Sequence, residues 1–218
     1  MALLNYTPPT NPYLQIITQD DDILVLNKPS GLLSVPGKAK EHADSLQTRV
    51  QRVFPCATVV HRLDMATSGL MVMALNKPAH RHISKQFELR ETCKTYQAIV
   101  FGKVQQDAGE INLPLICDWP NRPKQMVDHE RGKKALTHWQ VLERNNHTTR
   151  VELKPVTGRS HQLRVHMLSM QHPIIGDRLY AHEEALSMAS RLNLHAMRLS
   201  FRHPANEQLL HFESPVPF

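Results

Sequence analysis

The sequence predicts an α+β protein with a largely antiparallel central sheet flanked by helices and loops. Two observations carry this. Short runs rich in β-branched and aromatic residues follow one another without the long helical crossovers that parallel strands require. Between other runs lie segments with helical spacing and recognisable caps. Taken in order, residues 14–17 and 23–26 are apolar runs on either side of the polar turn Gln19-Asp20-Asp21-Asp22, which is the pattern of a hairpin. Pro29-Ser30-Gly31 makes a turn, and a loop continues through Pro36-Gly37. Asp44 is the expected cap of a helix over 45–54, with Leu46, Val50 and Val53 on one face and Pro55 ending it. Residues 70–75 suit a buried strand. Asn76 is the expected cap of a helix near 78–90, with Ile83 and Phe87 four apart and Arg81 and Lys85 on another face. Strands are expected at 95–101, 135–142, 150–153, 195–201 and 209–212. Ser160 is the expected cap of a helix from His161 to about Met170, striped by Leu163, Met167 and Met170. A last helix is expected over 183–192.

The 218 residues suffice to bury a core without a disulfide or metal staple. No repeat, low-complexity tract or long linker interrupts them, so a single domain over 1–218 is expected. The chain carries 26 Lys+Arg against 20 Asp+Glu, a net charge of +6 that draws it to polyanions. Cys56, Cys93 and Cys117 are odd in number and form no CxxC, which speaks against a disulfide framework and suits a reducing cytosol. No apolar run approaches the roughly 18 residues of a membrane span. Residues 1–9 lack the basic-then-apolar pattern of a signal peptide. The 14 histidines show no HExxH and no Cys/His cluster, and neither GxGxxG nor a Walker loop occurs. No metal and no nucleotide cofactor is expected.

Four segments can carry chemistry. The densest runs from Val59 to Leu70 and holds His61-Arg62-Leu63-Asp64 and then Thr67-Ser68-Gly69 between two apolar runs. A loop gripped by two buried strands is a rigid platform. On it Asp64 either caps the Thr67-Ser68 turn or stays ionised to act as nucleophile or general base. The second is Gly158-Arg159-Ser160-His161-Gln162-Leu163-Arg164-Val165-His166, a turn entering a helix. Its arginines are either solvated or functional. A part-buried Arg164 needs a carboxylate partner, for which Asp64 is one candidate. The third is Lys94-Thr95-Tyr96, where Tyr96 is either core or a surface on which a base can stack. The fourth, residues 119–134, sets Arg122, Lys124, Arg131, Lys133 and Lys134 against Asp128 and Glu130, with Trp119 at its start. It reads as a long basic loop, suited to a nucleic-acid backbone with stacking or simply solvated.

Together these residues resemble the RluA family of pseudouridine synthases. His61-Arg62-Leu63-Asp64 with Thr67-Ser68-Gly69 is similar to its catalytic motif, and Asn27-Lys28-Pro29-Ser30-Gly31-Leu32 to its first signature. Lys94-Thr95-Tyr96 resembles its tyrosine motif, and the segment from Gly158 to His166 its late arginine motif, all in family order. The resemblance implies the family's catalytic fold and isomerisation of uridine to pseudouridine in structured RNA. The substrate it implies is a 23S rRNA hairpin loop, a tRNA anticodon stem-loop, or both. It implies Asp64 as catalytic aspartate, Tyr96 stacked on the uracil, and Arg164 paired with Asp64. Arg62 would help displace the base or fill its place in the stack, with His61, Leu63, Thr67, Arg122, Lys124, Arg159, His161 and Gln162 at the substrate. It further implies no cofactor and no metal, a cytoplasmic monomer, and no N-terminal S4 domain, since the first signature is reached by Asn27.

Overall fold

The structure, a computed structural model, describes residues 6–218. The signal-peptide reading at residues 1–9 therefore lies in part outside the described residues. The chain is an α+β protein whose elements run in this order: β1 (Ile16–Gln19), β2 (Ile23–Lys28), α1 (Leu46–Gln51), β3 (Thr58–Val59), β4 (Ser68–Ala74) and α2 (Lys77–Leu89). Then come β5 (Cys93–Phe101), β6 (Ala108–Asn112), β7 (Leu115–Cys117), β8 (Gln125–Val127), β9 (Leu136–Arg144) and β10 (Thr148–Pro155). Last are α3 (Gln162–Ser169), α4 (Glu183–Ser187), β11 (Leu194–Arg202) and β12 (Leu209–Glu213). They divide into two compact units. The first comprises residues 6–94 with Ala196–Pro217, and the second Thr95–His195 with Phe218.

In the first unit the strand order is β1-β2-β4-β11, with β12 on β11 and β3 on β4. β1 pairs with β2, β2 with β4, β3 with β4 and β11 with β12, all antiparallel. The hairpin and the buried strand expected from sequence are both present. β4 is buried over its whole length, which is why it reads as a continuous apolar run and not an alternating one. α2 begins as expected: Asn76 accepts the N–H of Ala79 at 2.9 Å, and Pro78 occupies the first turn, where a missing N–H is harmless. Its Ala79 and Ile83 pack with Val25, Val72, Leu199 and Phe201. α1 is capped by Ser45, not Asp44. Ser45 and Thr48 form a reciprocal capping box, and Asp44 instead grips the buried Arg49 guanidinium through two hydrogen bonds of 2.8 and 2.7 Å.

Gly69, near the start of β4, has φ +119. A Cβ there would collide with the Ala196 backbone of β11. Gly69→Ala therefore combines backbone strain with a forced strand shift, and a stability loss of about 2–4 kcal/mol is expected in chemical denaturation. A loss under about 0.5 kcal/mol would show that β11 yields at no cost.

In the second unit the order is β5-β10-β9-β6, and each of these three pairings is antiparallel. The segment 119–134, expected to be a long loop, holds β8, which pairs antiparallel with β7 just before it. α4 stops at Ser187, short of the expected 192.

Candidate active site

Asp64 lies on the loop of residues 60–67, between β3 and β4. The Thr67 N–H donates to the Asp64 carbonyl at 3.1 Å and closes a tight turn over Met65 and Ala66. The segment after β2 clamps this loop from the side. The fully buried Lys28 ammonium donates to the carbonyls of Pro29 (2.9 Å), Leu32 (2.8 Å) and Met65 (3.1 Å). The Gly31 N–H also reaches Met65 at 2.8 Å, and the Ser30 hydroxyl donates to Ala66 at 2.6 Å. The Ser34 hydroxyl donates to the Leu63 carbonyl at 2.6 Å and accepts the Leu63 N–H at 3.2 Å. Both backbone groups of Leu63 and the carbonyls of Met65 and Ala66 are thus fixed on either side of Asp64. The motif from Asn27 to Leu32 is a brace for the Asp64 loop, and such bracing holds a functional side chain to sub-ångström tolerance.

Along that loop Arg62 is exposed and Asp64 is half-buried, while Leu63 and Thr67 are buried. Leu63 and Thr67, expected at the RNA, are buried in the structure. His61 is likewise held inward. Its ring stacks on Phe87 of α2 with centroids 4.5 Å apart, and its Nε2 accepts the Val72 N–H at 3.1 Å, so the neutral ring carries its proton on Nδ1. Desolvation, aided by the Lys94 charge, pushes its pKa down to about 3. As pH falls from 6.5 toward 3, the unfolded chain takes up a proton that the folded ring refuses. Stability is then lost by up to about 1.4 kcal/mol per pH unit. His61→Asn, which keeps an acceptor, is expected to flatten this acid-side slope in urea unfolding between pH 7 and pH 5. Equal slopes for variant and wild type would contradict a neutral ring at His61.

In the second unit, β5 holds the half-buried Tyr96 opposite Leu153 of β10. α3 is preceded by His161 in a left-handed conformation (φ 53) with no side-chain cap, so the expected Ser160 cap is not formed. Arg164 is 4% exposed and forks onto Asp177, which is 1% exposed: Nε to Oδ2 is 2.8 Å and Nη2 to Oδ1 is 2.6 Å. Sequence reasoning named Asp64 as a candidate partner and missed Asp177, thirteen residues along the chain. Tyr180 was missed as well. The Arg164 guanidinium carbon lies 5.0 Å from the centre of its ring. Its hydroxyl bonds His161 Nδ1 at 2.7 Å and accepts the Gln125 N–H at 2.8 Å. Tyr180 therefore ties the start of α3 to β8. The short aromatic-and-acid stretch after Gly176 is the signal that could have drawn attention to both residues.

Gln162, expected at the RNA, spends its amide on the chain. Its oxygen accepts from Thr157 (2.7 Å) and the Arg159 N–H (3.0 Å), and its nitrogen donates to Leu136 (3.0 Å) and Thr137 (2.9 Å). Both lone pairs and both N–H groups are used, so Gln162 pins α3 to β9. His166 continues the network, bonding Thr137 at 2.9 Å and the Leu113 carbonyl at 3.1 Å. Arg159 is exposed and donates to the Lys134 carbonyl at 3.1 Å, Arg122 is exposed, and Lys124 is half-buried.

Among the described residues, Asp20, Asp22 and His203 are grouped closely enough to suggest a metal site. The histidine argues against it. Its Nδ1 accepts the Ala205 N–H at 3.2 Å, which puts the proton on Nε2, where it is shared with Asp20 at 2.9 Å. That nitrogen has no lone pair for a cation.

Residues 22–169 match the model of the RNA pseudouridylate synthase family. The chain belongs to this family. It is 54% identical to Dual-specificity RNA pseudouridine synthase RluA of Pasteurella multocida (strain Pm70) and 56% identical to the protein of that name in Escherichia coli (strain K12), with both chains covered in full. Among solved structures, Human RNA Pseudouridylate Synthase Domain Containing 1 superposes with a TM-score of 0.81 at 30% identity, over 97% of this chain and 87% of that one. Human RNA Pseudouridylate Synthase Domain Containing 4 gives 0.75 at 26%, over 93% and 88%. This RNA pseudouridylate synthase is an isomerase that acts on uridine in RNA. The chemistry breaks the bond from ribose C1′ to uracil N1, joins C1′ to C5, and exchanges the C5 proton for one on N1. The balance needs no electrons from outside, so the demand on the protein is for an acid–base group, a grip on the detached base and charge control. No helix of the described residues is long and apolar enough to cross a membrane.

Proposed function

We propose that Asp64 is the carboxylate that initiates this isomerisation. The observation that carries the reading is the brace described above: a half-buried acid on a loop whose flanking backbone is held by Lys28, Ser30, Gly31 and Ser34. A carboxylate so placed can capture or stabilise an electron-poor C1′, as in glycosidases, or remove a proton from the sugar. Tyr96 is assigned to stack on the uracil and to help remove the C5 proton. Arg164 is assigned to orient the carboxylate, and Arg62 to fill the gap left in the base stack. The target base must leave its stack, which is easiest in a loop. An rRNA hairpin loop or a tRNA anticodon stem-loop suits that need, and the words "dual-specificity" in the relatives' names favour both. Arg122, Lys124 and Arg159 are assigned to the phosphate backbone. The whole chain is proposed to act as one catalytic domain, as a monomer in the cytoplasm. Nucleoside analysis of stem-loop RNA treated with the pure protein tests the reading. Pseudouridine should replace uridine at a loop position. Free uracil in the products would point to a hydrolase instead.

A further inference from the structure

Trp119 is the most exposed large apolar side chain described, with 65% of its surface open. It sits in the turn joining β7 to β8, at the start of a single 3-10 turn, Trp119–Asn121. That turn is tightly built. The Asp118 N–H donates to the Lys124 carbonyl, the Lys124 N–H to Asn121 and the Asn121 N–H to Asp118, each at 3.0 Å. The Asn121 amide also donates to the Asp118 carboxylate at 3.0 Å. At its foot the hairpin is anchored through the Gln125 N–H on Tyr180 and through Leu115 and Val127, which pack with Val165 of α3. The Arg122 guanidinium carbon lies 4.5 Å from the centre of the Trp119 ring, so one face of the indole carries a cation. Exposing an indole on a loop whose backbone is already ordered makes a flat surface with little left to lose in entropy. The charge around it, Arg122 and Lys124 with Arg131, Lys133 and Lys134 farther along the same segment, fits a polyanion.

We propose that Trp119 and Arg122 form a stacking platform for an unpaired nucleobase of the RNA substrate, separate from the uridine that is isomerised. The base stacks on the indole, and Arg122, steadied against the ring, meets a neighbouring phosphate. The platform thereby selects RNA that offers a splayed loop base and sets its register. The inference rests on the RNA-modifying reading above and adds a second point of base capture to it.

The two tryptophans make a direct test possible, because Trp139 is 4% exposed and Trp119 is not. Titrating the protein with a stem-loop RNA should quench the exposed indole, and a fully paired duplex of the same length should not. Trp119→Ala should raise KM for the stem-loop about 5- to 100-fold with kcat retained, and Trp119→Phe should recover most of the loss. Arg122→Met should reduce the salt dependence of binding by about one ion. Since the ring is exposed, the melting temperature of Trp119→Ala should match the wild type. Unchanged KM in Trp119→Ala, or equal quenching by duplex and stem-loop, would overturn the platform while leaving the isomerase reading intact. Quenching by anionic phospholipid vesicles but not by RNA would also overturn it and assign the ring to a lipid surface. Failure of the wild type to form pseudouridine in any RNA would instead strike the reading beneath it.

Discussion

Asp64→Ala is expected to abolish pseudouridine formation while leaving RNA affinity within a few-fold of the wild type. The substitution removes one carboxylate from a loop that is held by others: Lys28, Ser30 and Ser34 bond the backbone of Leu63, Met65 and Ala66. The loop should keep its shape, and the phosphate contacts assigned to Arg122, Lys124 and Arg159 lie on other segments. If the carboxylate attacks C1′ or takes a proton from the sugar, its loss should reduce turnover by about 10⁴-fold or more, the order seen when a catalytic nucleophile is deleted elsewhere. A filter-binding titration beside a turnover assay separates the two effects. A parallel loss of affinity and turnover would make Asp64 a binding residue.

Asp177→Ala is expected to cost about 3–5 kcal/mol of stability and to lower kcat. Arg164 and Asp177 are both buried and joined by a two-point fork, and deleting the acid leaves a guanidinium out of water with both bonds of that fork gone. Asp177 also accepts the Leu179 N–H at 2.9 Å, so the turn leading to Tyr180 loosens with it. In this account Asp177 is a positioning residue, acting through Arg164. The double variant Arg164→Met with Asp177→Leu removes both charges and should recover much of the stability, yet none of the activity. A double variant that regained turnover would reduce the pair to a structural one. Arg164→Lys should not rescue, because an ammonium cannot reproduce the fork.

The residues that sequence reading placed well are those whose signals are local. The hairpin of β1 and β2 shows as two apolar runs around an acidic turn, and α2 as an Asn cap before a 3.6-residue stripe. The loop that carries Asp64 is legible as a polar turn between apolar runs, while the role proposed for its carboxylate comes from the family resemblance. What sequence could not show depends on partners brought close only by folding. Nothing near Arg164 in the chain announces Asp177, and nothing near Lys28 announces the Met65 carbonyl. The cap of α3 misled because His161 adopts a left-handed backbone without being glycine, leaving Ser160 outside the helix. β7 and β8 were hidden because three-residue strands are too short for any period to register. His61, Leu63, Thr67 and Gln162 were assigned to RNA by their neighbours in the motif. In the structure Leu63, Thr67 and Gln162 are buried, and His61 and Gln162 bond within the chain.

The most direct measurement is single-turnover release of tritium from RNA labelled at uridine C5, with enzyme in large excess so that binding drops out. The wild type should release one tritium per modified uridine, and Asp64→Asn, which keeps the shape but not the charge, should release none above background. Release by Asp64→Asn at a rate near that of the wild type would place the chemistry on another residue.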